Sequence, residues 1–243
     1  MTNSTHDIQS MKTLPHSQRP CLHHVKGRIP FKPCINDYVC GTCEFDQYFF
    51  DEYTVHAVVR PVEIMEVEGF RVPQGYYLHR GHTWVKVEEG SSVRIGMDDF
   101  ALRLLGPLDH VEAPLLGKVV NQNEPDVTVC RGQCRAKLLS PLSGVITAVN
   151  PKLREQGSLA NDDPYAQGWV MTLHPQNLRK EIKGLMIAHQ SAEFLKQEVR
   201  RLHDFIEEVH APLAADGGYL GKDVFGAMPQ LGWERLTRSF LHT

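Results

Sequence analysis

The chain has 243 residues, 42% of them hydrophobic and 23% charged, with a formal net charge of -3. That length supports one good core with extensions, or two small domains. The weak net charge gives no field for nucleic acid or an anionic membrane, and no apolar run approaches the roughly 20 residues that span a bilayer. The opening "MTNSTHDIQSMKTLPHSQRP" is polar and has no apolar signal core, which places the chain in the cytoplasm.

Residues 1–20 read as a disordered leader. Residues 21–75 form a Cys-rich segment, in which Cys21, Cys34, Cys40 and Cys43 have the spacing C-x12-C-x5-C-x2-C. In a cytoplasmic chain such cysteines read as metal ligands before disulfides. Four thiolates suit tetrahedral zinc or an iron–sulfur cluster, and the spacing leaves that choice open. Pro30, Pro33 and Gly41 break any long element here, so a metal would supply the cohesion that a small core cannot. His23 and His24 are further candidate ligands, although vicinal histidines are commonly just exposed.

From Tyr76 to about residue 175 the pattern is β. "HTWVKVEEGSSVRIGMDDF" alternates apolar and polar residues around a turn, predicting a hairpin. "GVITAVNPKL" and "GWVMTLH" predict further strands, and "DDFALRLLGPL" a short helix with an Asp N-cap. The acid pairs at 98–99 and 162–163 read as caps and turn formers, and His79 and His82 as surface residues. Short strands at this spacing predict a small sandwich or barrel.

The period then changes. Leu178, Leu185, Ala192, Val199 and Ile206 recur every seventh residue, as do Ala188, Leu195, Leu202 and Val209. This predicts one long helix over Leu178 to Val209. Phe194, Phe205 and Ile187 widen the stripe beyond a two-helix seam. Packing on a body is therefore favoured over a coiled coil, with self-association through residues 176–210 as the other option. In the apolar tail, Pro229 starts a short helix with Trp233, Leu236 and Phe240 on one side, a docking segment.

Three motifs in residues 76–175 carry a resemblance: "HTWVKVEEGSSVRIGMDDFALRLLG", "SPLSGVITAVN" and "LANDDPYAQGWVMTLHP". Their order and spacing resemble the H protein of the glycine cleavage system. The resemblance implies a mainly β fold with α, a flattened barrel–sandwich hybrid of two small antiparallel sheets. In this chain it would follow the Cys-rich metal-binding segment and precede a long helix and docking tail over 176–243. The family's function resides in one lysine at an exposed hairpin tip, amidated with lipoic acid. Counting back from Ser140–Pro141, the position is Gln133, and the acidic position three residues earlier is Cys130. A glutamine amide cannot be acylated by a lipoyl ligase, so lipoate is not expected. Lys137, the nearest lysine, lies four positions down the returning strand. The cysteine segment and the C-terminal extension depart from ordinary H proteins and are similar to longer bacterial H-like proteins.

Cys130 and Cys134 flank the degenerate tip. In a three-residue loop they would face each other within disulfide range, with Arg131 and Arg135 favouring thiolate, so a redox pair is one reading and two unrelated small residues the other. No P-loop, G-x-S-x-G or H-E-x-x-H motif is present, and the "ADGG" at 215–218 reads as a turn. The leading expectation is a non-enzymatic adaptor with a four-cysteine metal site. It would meet protein partners through the barrel surface or the C-terminal helix. The alternatives are an electron- or thiol-transfer protein and an authentic lipoyl carrier.

Overall fold

The computed structural model describes residues 10–25, 29–46, 62–88, 92–209 and 220–243. The chain divides into two compact units, residues 1–61 and 62–243. The "ADGG" turn lies outside the described residues.

In the first unit, residues 10–20, expected to be disordered, are gathered by one guanidinium. Arg19 donates to the carbonyls of Leu14 and Lys12, each at 2.7 Å, and to Asp37 at 2.6 Å. An antiparallel bridge joins Pro20 to Pro33. It is closed by the Cys21 N–H on the Lys32 carbonyl at 2.8 Å and the Cys34 N–H on the Arg19 carbonyl at 2.7 Å.

The second unit is mainly β. A hairpin of β1 (Ile64–Val67) and β2 (Phe70–Pro73) opens it. Its Phe70 and Val72 are buried with Phe100 and Leu104, so this unit starts before Tyr76, where the β pattern becomes readable. Next come β3 (Tyr77–Leu78), β4 (Thr83–Val87) and β5 (Val93–Met97), with Thr83 opposite Met97 and Val87 opposite Val93, as the alternation predicts. Helix α1 (Asp99–Leu105) follows, capped by the Asp98 carboxylate, which accepts the Ala101 N–H at 2.9 Å.

The remaining strands are β6 (His110–Glu112), β7 (Val119–Val120), β8 (Pro125–Arg131), β9 (Cys134–Leu139), β10 (Gly144–Val149), β11 (Trp169–Pro175) and β12 (Met186–Ile187). They build a seven-stranded sheet ordered β12-β3-β4-β5-β11-β10-β7 and a three-stranded sheet ordered β6-β8-β9. Both sheets are open, so the expected barrel is a flattened sandwich. Its filling is Val85, Ile95, Ile146 and Leu173 from one sheet and Val129, Ala136 and Leu138 from the other. One-sided burial of alternate residues along the strands drives the packing of the two sheets.

The motifs of the resemblance meet in space. Trp84, fully buried, donates its indole N–H to the Pro164 carbonyl at 3.2 Å. The Tyr165 hydroxyl donates to the Arg71 carbonyl at 2.7 Å and accepts the Asp99 N–H at 3.0 Å, while Tyr76 donates to the Tyr165 carbonyl at 2.9 Å. The His-x-Trp start and the Asp-Pro-Tyr ending are thus one hydrogen-bonded cluster joining β4 to the loop before β11.

The long helix is shorter than the heptads predict. Helix α2 runs His189–Val209, because Ala188 adopts a positive φ of 51° and Met186–Ile187 pair with β3. Ala192, Leu195, Val199, Leu202 and Ile206 are buried against Phe70, Val72, Phe100 and Leu104, so the seam is filled within the chain. That is the packing mode favoured on stripe width, and it leaves this seam no face for self-association. In the tail, helices α3 (Val224–Ala227) and α4 (Trp233–Leu236) lead into a π-turn over Thr237–Leu241. Leu231, Leu236 and Phe240 complete the same cluster, as a docking segment should. Among the described residues no helix is long and apolar enough to cross a membrane.

Candidate functional site: the hairpin tip

Strands β8 and β9 form the hairpin that carries the expected attachment position. Their register pairs Cys130 with Arg135 and Arg131 with Cys134, which leaves only Gly132 and Gln133 in the turn. Gly132 has a φ of 56°, the left-handed conformation that a two-residue hairpin needs, and its N–H donates to Asp109 at 2.5 Å. Gln133 is exposed at the tip. A residue here faces solvent on a rigid two-strand support.

The two-residue turn corrects the three-residue loop. Cross-strand partners share a face, so Cys130 and Arg135 lie on one side of the hairpin and Arg131 and Cys134 on the other. Cys134 packs against the core, and both cysteines are free thiols. At Cys130 the expected activation by a flanking arginine is outweighed. Burial, with Glu112 adding to it, pushes the Cys130 thiol up, and Arg135 opposes this only in part. Arg131 is engaged elsewhere.

Arg131 belongs to a clamp that sequence reasoning missed. Its guanidinium meets Asp223 through two hydrogen bonds of 2.6 and 2.7 Å, donates to the Leu105 carbonyl and lies over the Phe225 ring. The Asp223 carboxyl is held below its ordinary range mainly by Arg131, and it also caps α3 through the Gly226 N–H at 2.7 Å. Gly106 sits against this pair with no room for a Cβ, which would fall 2.1 Å from both partners. The tail then runs along β9, the edge of its sheet. The Trp233 indole donates to the Arg135 carbonyl at 2.8 Å and the Thr243 hydroxyl to the Lys137 carbonyl at 2.9 Å. Lys137 itself lines a cleft of about 480 Å³ with Arg135, Glu234 and Arg238. Replacing Asp223 by Ala removes both a cap and a forked ion pair. We expect a loss of about 2 kcal/mol, read in urea unfolding, and faster amide exchange over residues 220–231.

A second missed feature is the mooring of α2. His82, expected at the surface, is fully buried beneath α2, and His79 is 4% exposed, its Nε2 lying 2.9 Å from Asn123 Oδ1. With a φ of 57°, His82 turns its ring inward, where Nδ1 meets Asp98 at 2.8 Å and Nε2 meets Glu198 of α2 at 3.4 Å. Phe100 stacks on the ring at 4.5 Å. Burial alone would lower its pKa, yet the two carboxylates raise it to about 9. Burial likewise raises Glu198, but His82 and Arg201 bring it below its usual value. Asp98 caps α1 and Asp163 shapes a turn as expected, accepting the N–H groups of Ala166 and Gln167, whereas Asp99 is buried and held by Arg71 and Arg103. Asp98 also has this second role at His82.

In the first unit all four cysteines are half-buried free thiols. The bridge puts Cys21 opposite Lys32 and Cys34 opposite Arg19, on either side of the Pro20–Pro33 pair, and Cys40 and Cys43 share a one-turn knuckle closed at 2.9 Å. The Tyr38 N–H donates to the Cys34 sulfur at 3.3 Å. Burial, then Asp46, then the other three cysteines push the Cys40 thiol up, so each of those three lies within electrostatic reach of Cys40. His23 is engaged by Asp46 at 2.6 Å, and the His24 ring lies 3.2 Å from the Ile29 carbonyl.

Comparison with known proteins bears directly on the hairpin. The family profile described as Glycine cleavage H-protein matches residues 76–198. The chain belongs to the glycine cleavage H-protein family. It is 35% identical over 133 residues to the probable glycine cleavage system H protein of Pyrococcus furiosus, covering 55% of this chain and 98% of that relative. It is 34% identical over 127 residues to the H protein of Anoxybacillus flavithermus, covering 52% and 98%. A crystal structure of the Mycobacterium marinum H protein aligns with 53% of this chain and 99% of its own, at 24% identity and a TM-score of 0.45. The matched half is the sandwich with the start of α2. The cysteine unit and the tail on β9 fall outside the matched region.

Proposed function

We propose that this H-protein family member is a non-lipoylated interaction protein, not a catalyst, with a metal site made by Cys21, Cys34, Cys40 and Cys43. The observation that carries this is Gln133 at the exposed tip, where acylation requires a primary amine. The carrier role of the relatives needs a nucleophile that this tip does not offer. The tail supports the same reading. It holds β9 by its edge carbonyls and occupies the flank of a hairpin that a swinging arm would need free. What remains accessible is the sandwich surface and the outer face of α2, which suit protein partners.

For the first unit, the bridged segments that carry Cys21 and Cys34, the Cys40–Cys43 knuckle and the amide aimed at Cys34 support a four-thiolate site. Metal analysis of anaerobically purified protein with its visible spectrum tests it. Colourless protein that loses one zinc equivalent in a Cys40→Ser/Cys43→Ser variant is the expected result for the adaptor. Brown protein with iron and sulfide would instead move the chain to electron transfer. Metal content unchanged in the variant would overturn the site.

A further inference from the structure

A different group of donors lies on the hairpin. Strand β6 presents His110 and Glu112, two residues apart and so on one face, and β8 places Cys130 directly opposite His110. The imidazole, carboxylate and thiol donor atoms all lie within 4.8 Å of one another, and His110 Nε2 is already 3.4 Å from Glu112 Oε1. Donors of a tetrahedral zinc ion stand about 3.3–3.6 Å apart, so small rotamer changes close the set. We propose that His110, Glu112 and Cys130 form a three-ligand site for a zinc-class divalent ion, with the fourth position open to solvent.

The chemistry of the donors favours this class. Mixed imidazole, carboxylate and thiolate ligands suit borderline ions, not magnesium or calcium. The scaffold is fixed. The Asp109 N–H donates to the Cys130 carbonyl at 2.9 Å and the Asp109 carbonyl accepts the Gly157 N–H at 2.7 Å, so β6 cannot slide against β8. Access is also present. Cys130 is buried beneath the group, while the His110 and Glu112 side chains are 38% and 48% exposed. Arg135 Nη1 stands 3.6 Å from Glu112 and is 66% exposed, so it balances the carboxylate and can swing into solvent when an ion arrives. Binding replaces the thiol S–H bond by a metal–sulfur bond and releases one proton to solvent, with no oxidation or reduction. The thiol stands where the resemblance places an acidic residue, three positions before the tip.

The test separates this site from the front cysteines. The full chain carrying Cys40→Ser/Cys43→Ser is titrated anaerobically with cobalt(II), a spectroscopic stand-in for zinc. One equivalent should bind, with thiolate-to-cobalt charge-transfer absorption. Adding Cys130→Ser should abolish that absorption, and adding His110→Ala should weaken binding at least tenfold. Adding Cys134→Ser should change neither. Where the front variant does not fold, the same comparison on the otherwise native chain should show one equivalent fewer in Cys130→Ser. Undiminished cobalt binding in Cys130→Ser, absorption that depends on Cys134, or no binding to the parent would overturn the site. None of these outcomes depends on whether the front cysteines bind metal.

Discussion

Replacing His82 by Ala should cost about 3–5 kcal/mol in urea unfolding, a large share of the stability of an ordinary domain. The substitution leaves Asp98 and Glu198 buried with no cation between them and opens a void against Phe100 and Phe194. Glu198 keeps Arg201 and Asp98 keeps the Ala101 N–H, so the residual order of α2 should survive. The pH dependence identifies the cause. The folded pKa of about 9 lies above the ordinary 6.5, so the native state binds more protons between these values. The contribution of His82 is therefore complete below pH 6.5 and lost as pH rises through about 9. His79 and His242 sit close by and are pushed down chiefly by burial, so their effect falls on the other side. They weaken the fold as pH falls below 6.5 and leave the alkaline window to His82. Wild-type protein should lose stability between pH 6.5 and 9 with a slope that His82→Ala lacks. Equal slopes in the two proteins would remove the protonated bridge from the account of how α2 is moored.

Replacing Gln133 by Lys should turn an inert tip into a substrate for lipoate attachment. The tip already has the required mechanics: an exposed position, a two-residue turn set by Gly132, and anchors beside that turn at Asp109 and Asp223. Only the amine is missing. Incubated with lipoate, ATP and a lipoate ligase, the variant should gain one lipoyl group per chain while the wild type gains none. An unmodified variant would show that the hairpin has diverged in more than this residue, with Cys130 in place of the acidic neighbour as the first suspect. Stability should change little, because the site is solvent-exposed and the turn conformation is set by its neighbour.

How much of this was legible in the sequence depends on the range of the interaction. Alternation in 83–97 and 169–175 reveals strands because burial on one face acts residue by residue. The apolar stripe of α2 shows its packing face, and the tail shows its docking side, for the same reason. The start of α2 is hidden, because heptad spacing continues through the turn at Ala188 and a pattern cannot register a positive φ. Turn length at Gln133 is hidden as well, since two- and three-residue loops suit the same letters and register decides between them. His82 looks like a surface residue because its partners are 16 and 116 positions away. Arg131 and Asp223 are separated by 92 positions, and nothing local announces their pairing. His110, Glu112 and Cys130 had half a signal, the His-x-Glu spacing on one strand. The third donor is visible only once β6 is seen to pair with β8. The glutamine at the tip, in contrast, was readable at once, because it depends on identity and position alone.

The most direct measurement is the intact mass of the chain produced in cells supplied with lipoate and a working attachment system. The expected mass is that of the unmodified 243-residue chain. A gain of one lipoyl group, mapped to Lys137 or to any other residue of the hairpin, would contradict it and restore the carrier role.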